Sequence, residues 1–201
     1  DKFSGDLAVT SLSPDGRRLE VALVDLSGKG RTAGTRSLLC SGAIGGLLGQ
    51  VEPDRLLAAA NHYLLRQEWS EGFATAVHLA IDLSTGEFSL GNAGHPAPIQ
   101  FAAGSGLWSV HDSAGGPALG LIPDAGFPRS IGRLGRGDAL VLYTDGVVEA
   151  RSLDLSRGLD RLLGNAERLV TVGFESGARR LCADAKAGDS DDRAVVIIWR
   201  D

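Results

Sequence analysis

With 201 residues, 43% of them hydrophobic, the chain is long enough to bury a sizeable core and is read as one domain spanning 1–201. Its formal net charge of -5 comes with scattered Arg and Lys rather than a basic stripe, which excludes the electrostatic footprint of a nucleic-acid binder. No run reaches about eighteen apolar residues, and Asp1-Lys2-Phe3-Ser4 lacks an apolar targeting segment, so neither membrane insertion nor secretion is expected.

The two cysteines, Cys40 and Cys182, lie in apolar contexts without C-x-x-C spacing and read as reduced core thiols, which makes the cytoplasm the default location. There is no Met, so Asp1 is not a translated start and the stretch reads as part of a longer polypeptide.

Residues 6–12 and 18–25 alternate or run apolar around Ser13-Pro14-Asp15-Gly16, a strong turn signal. They predict a hairpin whose second strand delivers Asp25 at its end. From Thr32 to Leu48 small and apolar residues recur at helical spacing. A second helix is expected from Arg55 to about Gln67, with Leu56, Leu57, Ala60, Tyr63 and Leu64 on its apolar face. Residues 73–103 read as three strands of an antiparallel meander, with turns at Ser84-Thr85-Gly86 and Gly94-His95-Pro96. Ser105 to Ile122, rich in Gly, Ser and Pro, reads as a loop or flap. Ala139 to Tyr143 is a buried strand ending at Thr144-Asp145-Gly146, helical patterns fill about Leu159 to Ala185, and a last strand covers Ala194 to Trp199. Strands come in runs and helices in pairs, which argues for an α+β fold with antiparallel sheets.

The glycine-rich turn Gly28-Lys29-Gly30 is not a nucleotide cradle. A phosphate-binding loop needs a glycine where Leu23 stands and a hydroxyl residue where Gly30 stands, and the spacing to Gly34 is one residue too long for a dinucleotide fingerprint. What remains is a set of aspartates at strand ends: Asp6, Asp25, Asp145 and Asp191. Carboxylates ending buried strands need a cationic partner, and with no His or Cys in the set they are hard oxygen ligands suited to Mg²⁺ or Mn²⁺. Each aspartate taken alone is equally a turn former or helix cap.

The motifs Ser4-Gly5-Asp6, Val24 to Gly30, Asn92 to Pro98 (NAGHPAP), Gly115 to Leu121 (GGPALGL), Leu142 to Arg151 (LYTDGVVEAR) and Asp191 to Arg200 (DDRAVVIIWR) run in order along nearly the whole chain. In that order they resemble the bacterial SpoIIE/RsbU-type branch of the PP2C (PPM) serine/threonine phosphatases. The resemblance implies an αββα sandwich of two antiparallel sheets flanked by helix pairs, with two Mn²⁺ or Mg²⁺ ions. By motif position Asp25 bridges the ions and the Leu26 carbonyl completes one shell. Asp145 and Asp191 ligate the other ion, Asp6 acts on water at the metals or as an outer ligand, and Asp192 stands outside the ligand set. The implied partner is a phosphorylated STAS-domain anti-sigma-factor antagonist of a bacterial partner-switching pathway. An N-terminal sensor domain in the full chain and a homodimer are both compatible with it.

The chain departs from the family pattern at Val9, where many relatives carry a second aspartate. Ser27 stands near the place where larger PP2C enzymes have a His, and the strand that normally precedes the first motif is not in the sequence. Two rivals remain: a phosphatase-shaped interaction module without turnover, and a phosphatase of small phosphate esters. His95 is read as a turn histidine bonded to nearby backbone. His62, His78 and His111 are read as structural or exposed, Lys29 as either solvated or anion-meeting, and Thr144 and Glu149 as turn support. Trp69, Trp108 and Trp199 are read as packing residues.

Overall fold

The computed structural model describes residues 5–28, 31–67, 69, 72–111, 115–149, 155–185 and 192–201. In chain order the elements are β1 (Asp6–Leu12), β2 (Arg18–Leu26), α1 (Arg31–Leu47), α2 (Leu56–Leu65), β3 (Ala74–Asp82), β4 (Glu87–Ala93), β5 (Ile99–Ala102), β6 (Leu107–Val110), β7 (Arg129–Arg133), β8 (Ala139–Tyr143), α3 (Leu155–Val172), α4 (Gly177–Asp184) and β9 (Val195–Trp199). Contacts divide them into two compact units, Asp1–His95 with Ser113–Arg133 and Pro96–Asp112 with Leu134–Asp201.

The first unit is a five-stranded antiparallel sheet, order β1-β2-β3-β4-β7, carrying α1 and α2. Its opening hairpin is turned by local side chains. Ser13 Oγ accepts from Arg17 N and Arg18 N at 3.2 and 2.8 Å, and Asp15 Oδ1 accepts from Arg17 N at 3.1 Å. Side chains alternate along a strand, so Ala22, Val24 and Leu26 of β2 share a face with Ala74 and Ala76 of β3. That face meets Cys40 and Ile44 of α1 and Leu56, Leu57, Ala60 and Leu64 of α2 in one buried cluster. The intervening Val21, Leu23, Val77 and Leu79 are also buried, which is why these strands read as continuous apolar runs.

The second unit is a four-stranded antiparallel sheet, order β6-β5-β8-β9, carrying α3 and α4. Ile99, Val141 and Tyr143 pack there with Leu162, Ala166, Leu169 and Leu181. Phe101, Trp108 and Phe174 add ring contacts with centroids 5.3 to 6.4 Å apart, so Trp108 packs as expected.

Two expectations are corrected. Residues 73–103 are not one meander: β3 and β4 pair, but β5 joins β6 and β8 in the other sheet. The break has a local cause, because Gly94 takes φ 65° against the Ala118 backbone and Pro96 and Pro98 have no N–H to extend the ladder. Within 105–122, Leu107–Val110 forms strand β6 rather than loop, an edge strand whose mostly exposed residues give no buried alternation. Strand β7 was not anticipated either. Arg129 and Ile131 share one face of it, yet the arginine reaches into the buried network while Ile131 is 75% exposed, so apolar alternation gives no signal there.

Candidate functional site

In the first unit, pairing of β1 with β2 sets Asp6 directly opposite Asp25, and pairing of β2 with β3 sets Thr75 on the other side of Asp25. Directly opposed residues share a face with Cβ atoms about 4.5–5.5 Å apart, and like charges so placed repel. A pair of carboxylates in that position suits a divalent cation. The strand end is shaped to bring backbone oxygen into the same place. Leu26 N donates to Gly5 O at 3.3 Å, and a Cβ on Gly5 would sit 2.8 Å from Leu26 O, so glycine is what permits the approach. Beyond Leu26 the chain is pinned: Ser27 N donates to Phe73 O, and Phe73 N donates to Ser27 Oγ, both at 3.0 Å. Gly28 follows at φ 115°, and Lys29 lies outside the described residues.

In the second unit, β8 runs buried to Tyr143 and fully buried Thr144. Thr144 N donates to Ala194 O at 3.1 Å, and Ala194 N donates to Thr144 Oγ1 at 2.9 Å. Thr144 therefore does what was expected of it, tying the turn to the approach of β9. Asp145 opens a 3-10 turn, Asp145–Val147, and its carbonyl accepts from Val148 N and Glu149 N at 2.8 and 2.7 Å. A Cβ on Gly146 would fall 2.1 Å from Asp192 O, so the segment entering β9 passes against Gly146 and only glycine fits. Asp192 is thereby set beside the Asp145 turn. Asp191, the preceding residue, lies outside the described residues.

The donor set, carboxylates with one backbone carbonyl, is the chemistry that Mg²⁺ and Mn²⁺ prefer. Among the described residues no three His, Cys, Asp or Glu side chains gather as a metal cluster, and Asp191 is not among those residues.

His95 is a turn histidine, as read, but a more constrained one. Its N–H donates to Asn92 Oδ1 and its carbonyl accepts from Asn92 Nδ2, both at 2.8 Å, while Nδ1 lies 2.7 Å from Thr75 Oγ1. His62 is exposed beside Asp124. Cys40 is buried, and burial pushes its thiol up to about 11, consistent with an inert core cysteine.

The sequence reading missed a buried polar network under α1 and α2. His78 Nε2 lies 3.1 Å from Glu20 Oε2, and Arg18 Nε lies 3.2 Å from Glu20 Oε1. Arg129 Nη1 donates to His78 Nδ1 at 3.1 Å and to Pro53 O at 2.9 Å, while Nη2 donates to Ser89 O at 2.8 Å. Because Nδ1 accepts from a guanidinium, the ring proton sits on Nε2 and His78 is neutral. Burial, reinforced by the Arg129 charge, holds its pKa below the ordinary value. Burial pushes the Glu20 carboxyl up, but the bond from His78 and the charge of Arg18 outweigh it and hold the group low. The only sequence signal was Glu20 interrupting an apolar strand.

The SpoIIE family model, described as stage II sporulation protein E, matches residues 15–201. The chain belongs to the SpoIIE family. Its fold is the PP2C-like one. The RsbU and RsbW domains of Rv1364c from Mycobacterium tuberculosis superpose with a TM-score of 0.83 at 24% identity, covering 98% of this chain and 56% of that one. The PP2C phosphatase domain of SpoIIE from Bacillus subtilis, with a fragment of its regulatory domain, gives 0.73 at 17% identity, covering 97% and 58%. RsbX in complex with magnesium gives 0.67 at 16%, covering 96% and 85%. The SpoIIE-family chain thus spans little more than half the length of the first two. Among its described residues no helix is long and apolar enough to cross a membrane.

Proposed function

We infer that this SpoIIE-family domain is a metal-dependent protein phosphatase that hydrolyses phosphoserine or phosphothreonine, with Asp6, Asp25, the Leu26 carbonyl, Asp145 and Asp191 as ligands of two Mn²⁺ or Mg²⁺ ions. The observation that carries it is the cross-strand pair Asp6 and Asp25, two carboxylates held face to face beside a backbone carbonyl. When bound, such ions would lower the pKa of a water they hold and offset charge on the phosphoryl group. The chain's own part is positional. Strand pairing fixes Asp6 and Asp25, while Gly146 and Thr144 fix the Asp145 turn against the segment that carries Asp192. The magnesium complex of RsbX supports the choice of metal. The RsbU and RsbW neighbour supports a place in partner switching, with a phosphorylated STAS-domain anti-sigma-factor antagonist as substrate in the cytoplasm and 1–201 as one catalytic domain.

The test is aryl phosphate hydrolysis during Mn²⁺ titration, with calorimetric Mn²⁺ binding measured in parallel. Saturable turnover, removed by EDTA, is expected. Asp25→Asn and Asp145→Asn should each abolish it and weaken Mn²⁺ binding by more than the roughly 10–100-fold that loss of an outer partner costs. Unchanged Mn²⁺ affinity in both variants would refute the ligand assignment. Binding without turnover of either an aryl ester or a phosphoprotein would favour the interaction-module reading instead.

A further inference from the structure

We propose that Thr75 and His95 are positioning residues for Asp25: the His95 imidazole donates from Nδ1 to Thr75 Oγ1, and the Thr75 hydroxyl proton is thereby directed to the Asp25 carboxylate. This rests on the reading of Asp25 as a metal ligand, and adds to it two residues outside the ligand set.

The placement comes from three strands and one turn. Asp6, Asp25 and Thr75 occupy a single row across β1, β2 and β3, so the Thr75 side chain stands on the same face as both carboxylates and directly beside that of Asp25. His95 reaches Thr75 because the chain turns at once after β4. Gly94 takes φ 65°, a Cβ there would meet Ala118 N at 3.0 Å, and Gly94 N donates to Gly116 O at 3.0 Å. Asn92 then clamps the His95 backbone through both amide atoms, and the ring is buried with Nδ1 2.7 Å from Thr75 Oγ1. A histidine with a doubly fixed backbone and a bonded ring has little freedom left, which suits it to hold another group still.

The direction of the bond follows from charge. A threonine hydroxyl has one proton and two lone pairs. If Thr75 donated to His95 Nδ1, its lone pairs would face the neighbouring carboxylate, and the arrangement would be repulsive. If Nδ1 carries the proton, Thr75 accepts from the ring and keeps its own proton for Asp25. A charge-assisted bond of this kind favours the ionised carboxylate and one rotamer of it, both of which a hard cation requires of its ligand. Residues that orient a ligand from outside its shell typically change metal affinity by roughly 10–100-fold when removed.

Two measurements on the intact 201-residue chain test this. In the metal-free protein, long-range ¹⁵N–¹H correlation of labelled histidine should show His95 protonated at Nδ1; protonation at Nε2 alone overturns the proposal. Calorimetry with Mn²⁺ should show Thr75→Val binding about tenfold or more weakly than wild type, with Thr75→Ser restoring most of the affinity. The serine variant separates loss of a hydroxyl from a folding defect. Wild-type Mn²⁺ affinity in folded Thr75→Val, while Asp25→Asn has lost binding, overturns the relay and leaves the ligand reading intact. Wild-type affinity in Asp25→Asn itself refutes that reading and the relay with it.

Discussion

Both helix pairs rest on apolar clusters, but the polar groups beside those clusters differ. In the second unit α3 and α4 rest on Ile99, Val141 and Tyr143 through Leu162, Ala166, Leu169 and Leu181, an aliphatic and aromatic seam. In the first unit, α1 and α2 ride largely on alanines, and beside that small-residue seam lies the charged network of Glu20, His78 and Arg129. Apolar contacts are non-directional and tolerate small slides. Hydrogen bonds from a guanidinium do not, so Arg129, donating to Pro53 O between the helices and to Ser89 O in β4, fixes where the α1–α2 connection sits on the sheet. The helix pair that follows Asp25 in the chain is thus registered by a buried network that includes a carboxylate and a histidine. Beside the pair that follows Asp145, guanidinium bonds run instead to backbone carbonyls, from Arg161 to Val147 O and from Arg193 to Cys182 O and Ala185 O.

The largest consequence is at Arg129. Arg129→Leu removes the donor to His78, Ser89 and Pro53 and leaves half-exposed Arg18 as the cation beside the Glu20 carboxylate, which keeps its bond from neutral His78. Breaking a buried pair from one side costs about 3–5 kcal/mol, and urea unfolding should show a loss of that order. Adding Glu20→Gln to Arg129→Leu should return part of it, because the uncompensated charge is then gone. Equal losses in the single and double variants would mean that the arginine matters only for packing, and the contrast between the two units would disappear.

Why this network was invisible while the candidate aspartates stood out is a matter of residue placement. Asp6 follows Gly5, Asp145 precedes Gly146 and Asp25 ends an apolar run, placements in which a carboxylate asks for a cation. Glu20 interrupts an apolar run, but its partners come from residues 78 and 129, far apart in the sequence, and no spacing rule links them. The hairpin, both helix pairs, β8 and β9 were readable because apolar periodicity and Pro-Asp-Gly or Thr-Asp-Gly turns are local signals. The register that pairs Asp6 with Asp25 and Asp25 with Thr75 was not, since it depends on three strands closing together. The transfer of β5 to the other sheet is likewise decided by Gly94 and two prolines acting against a pattern that otherwise reads as a meander.

Acid should separate the two units more gently. His78 is buried neutral with its pKa depressed, so it contributes stability that is present above its unfolded value, about 6.5, and lost as pH falls through the lower folded value. Glu20, also depressed, adds a further loss below about 4.5. Amide hydrogen exchange, corrected for intrinsic rates, should therefore show protection in α1 and α2 falling between pH 7 and 5 while α3 and α4 change less. Equal losses in both helix pairs would show that the His78 network is not what holds the first pair.

The smallest effect discriminates best between the helices themselves. Within its span α1 contains Gly34, Gly42, Gly45 and Gly46 and leaves Leu38 and Leu39 71% and 48% exposed, so neither propensity nor burial favours it strongly. Exposed Gly42 in α1 and exposed Gly164 in α3 each have open space where a Cβ would go. In a helix already formed, Gly→Ala at such a position stabilises by about 0.4–1 kcal/mol, chiefly by restricting the unfolded chain. Gly164→Ala should give that gain in the unfolding midpoint, and Gly42→Ala should match it if α1 is as fully formed as α3. A gain at Gly164 with none at Gly42 would mean that α1 spends much of its time unwound, and that the polar network under it anchors the α1–α2 connection rather than the helix.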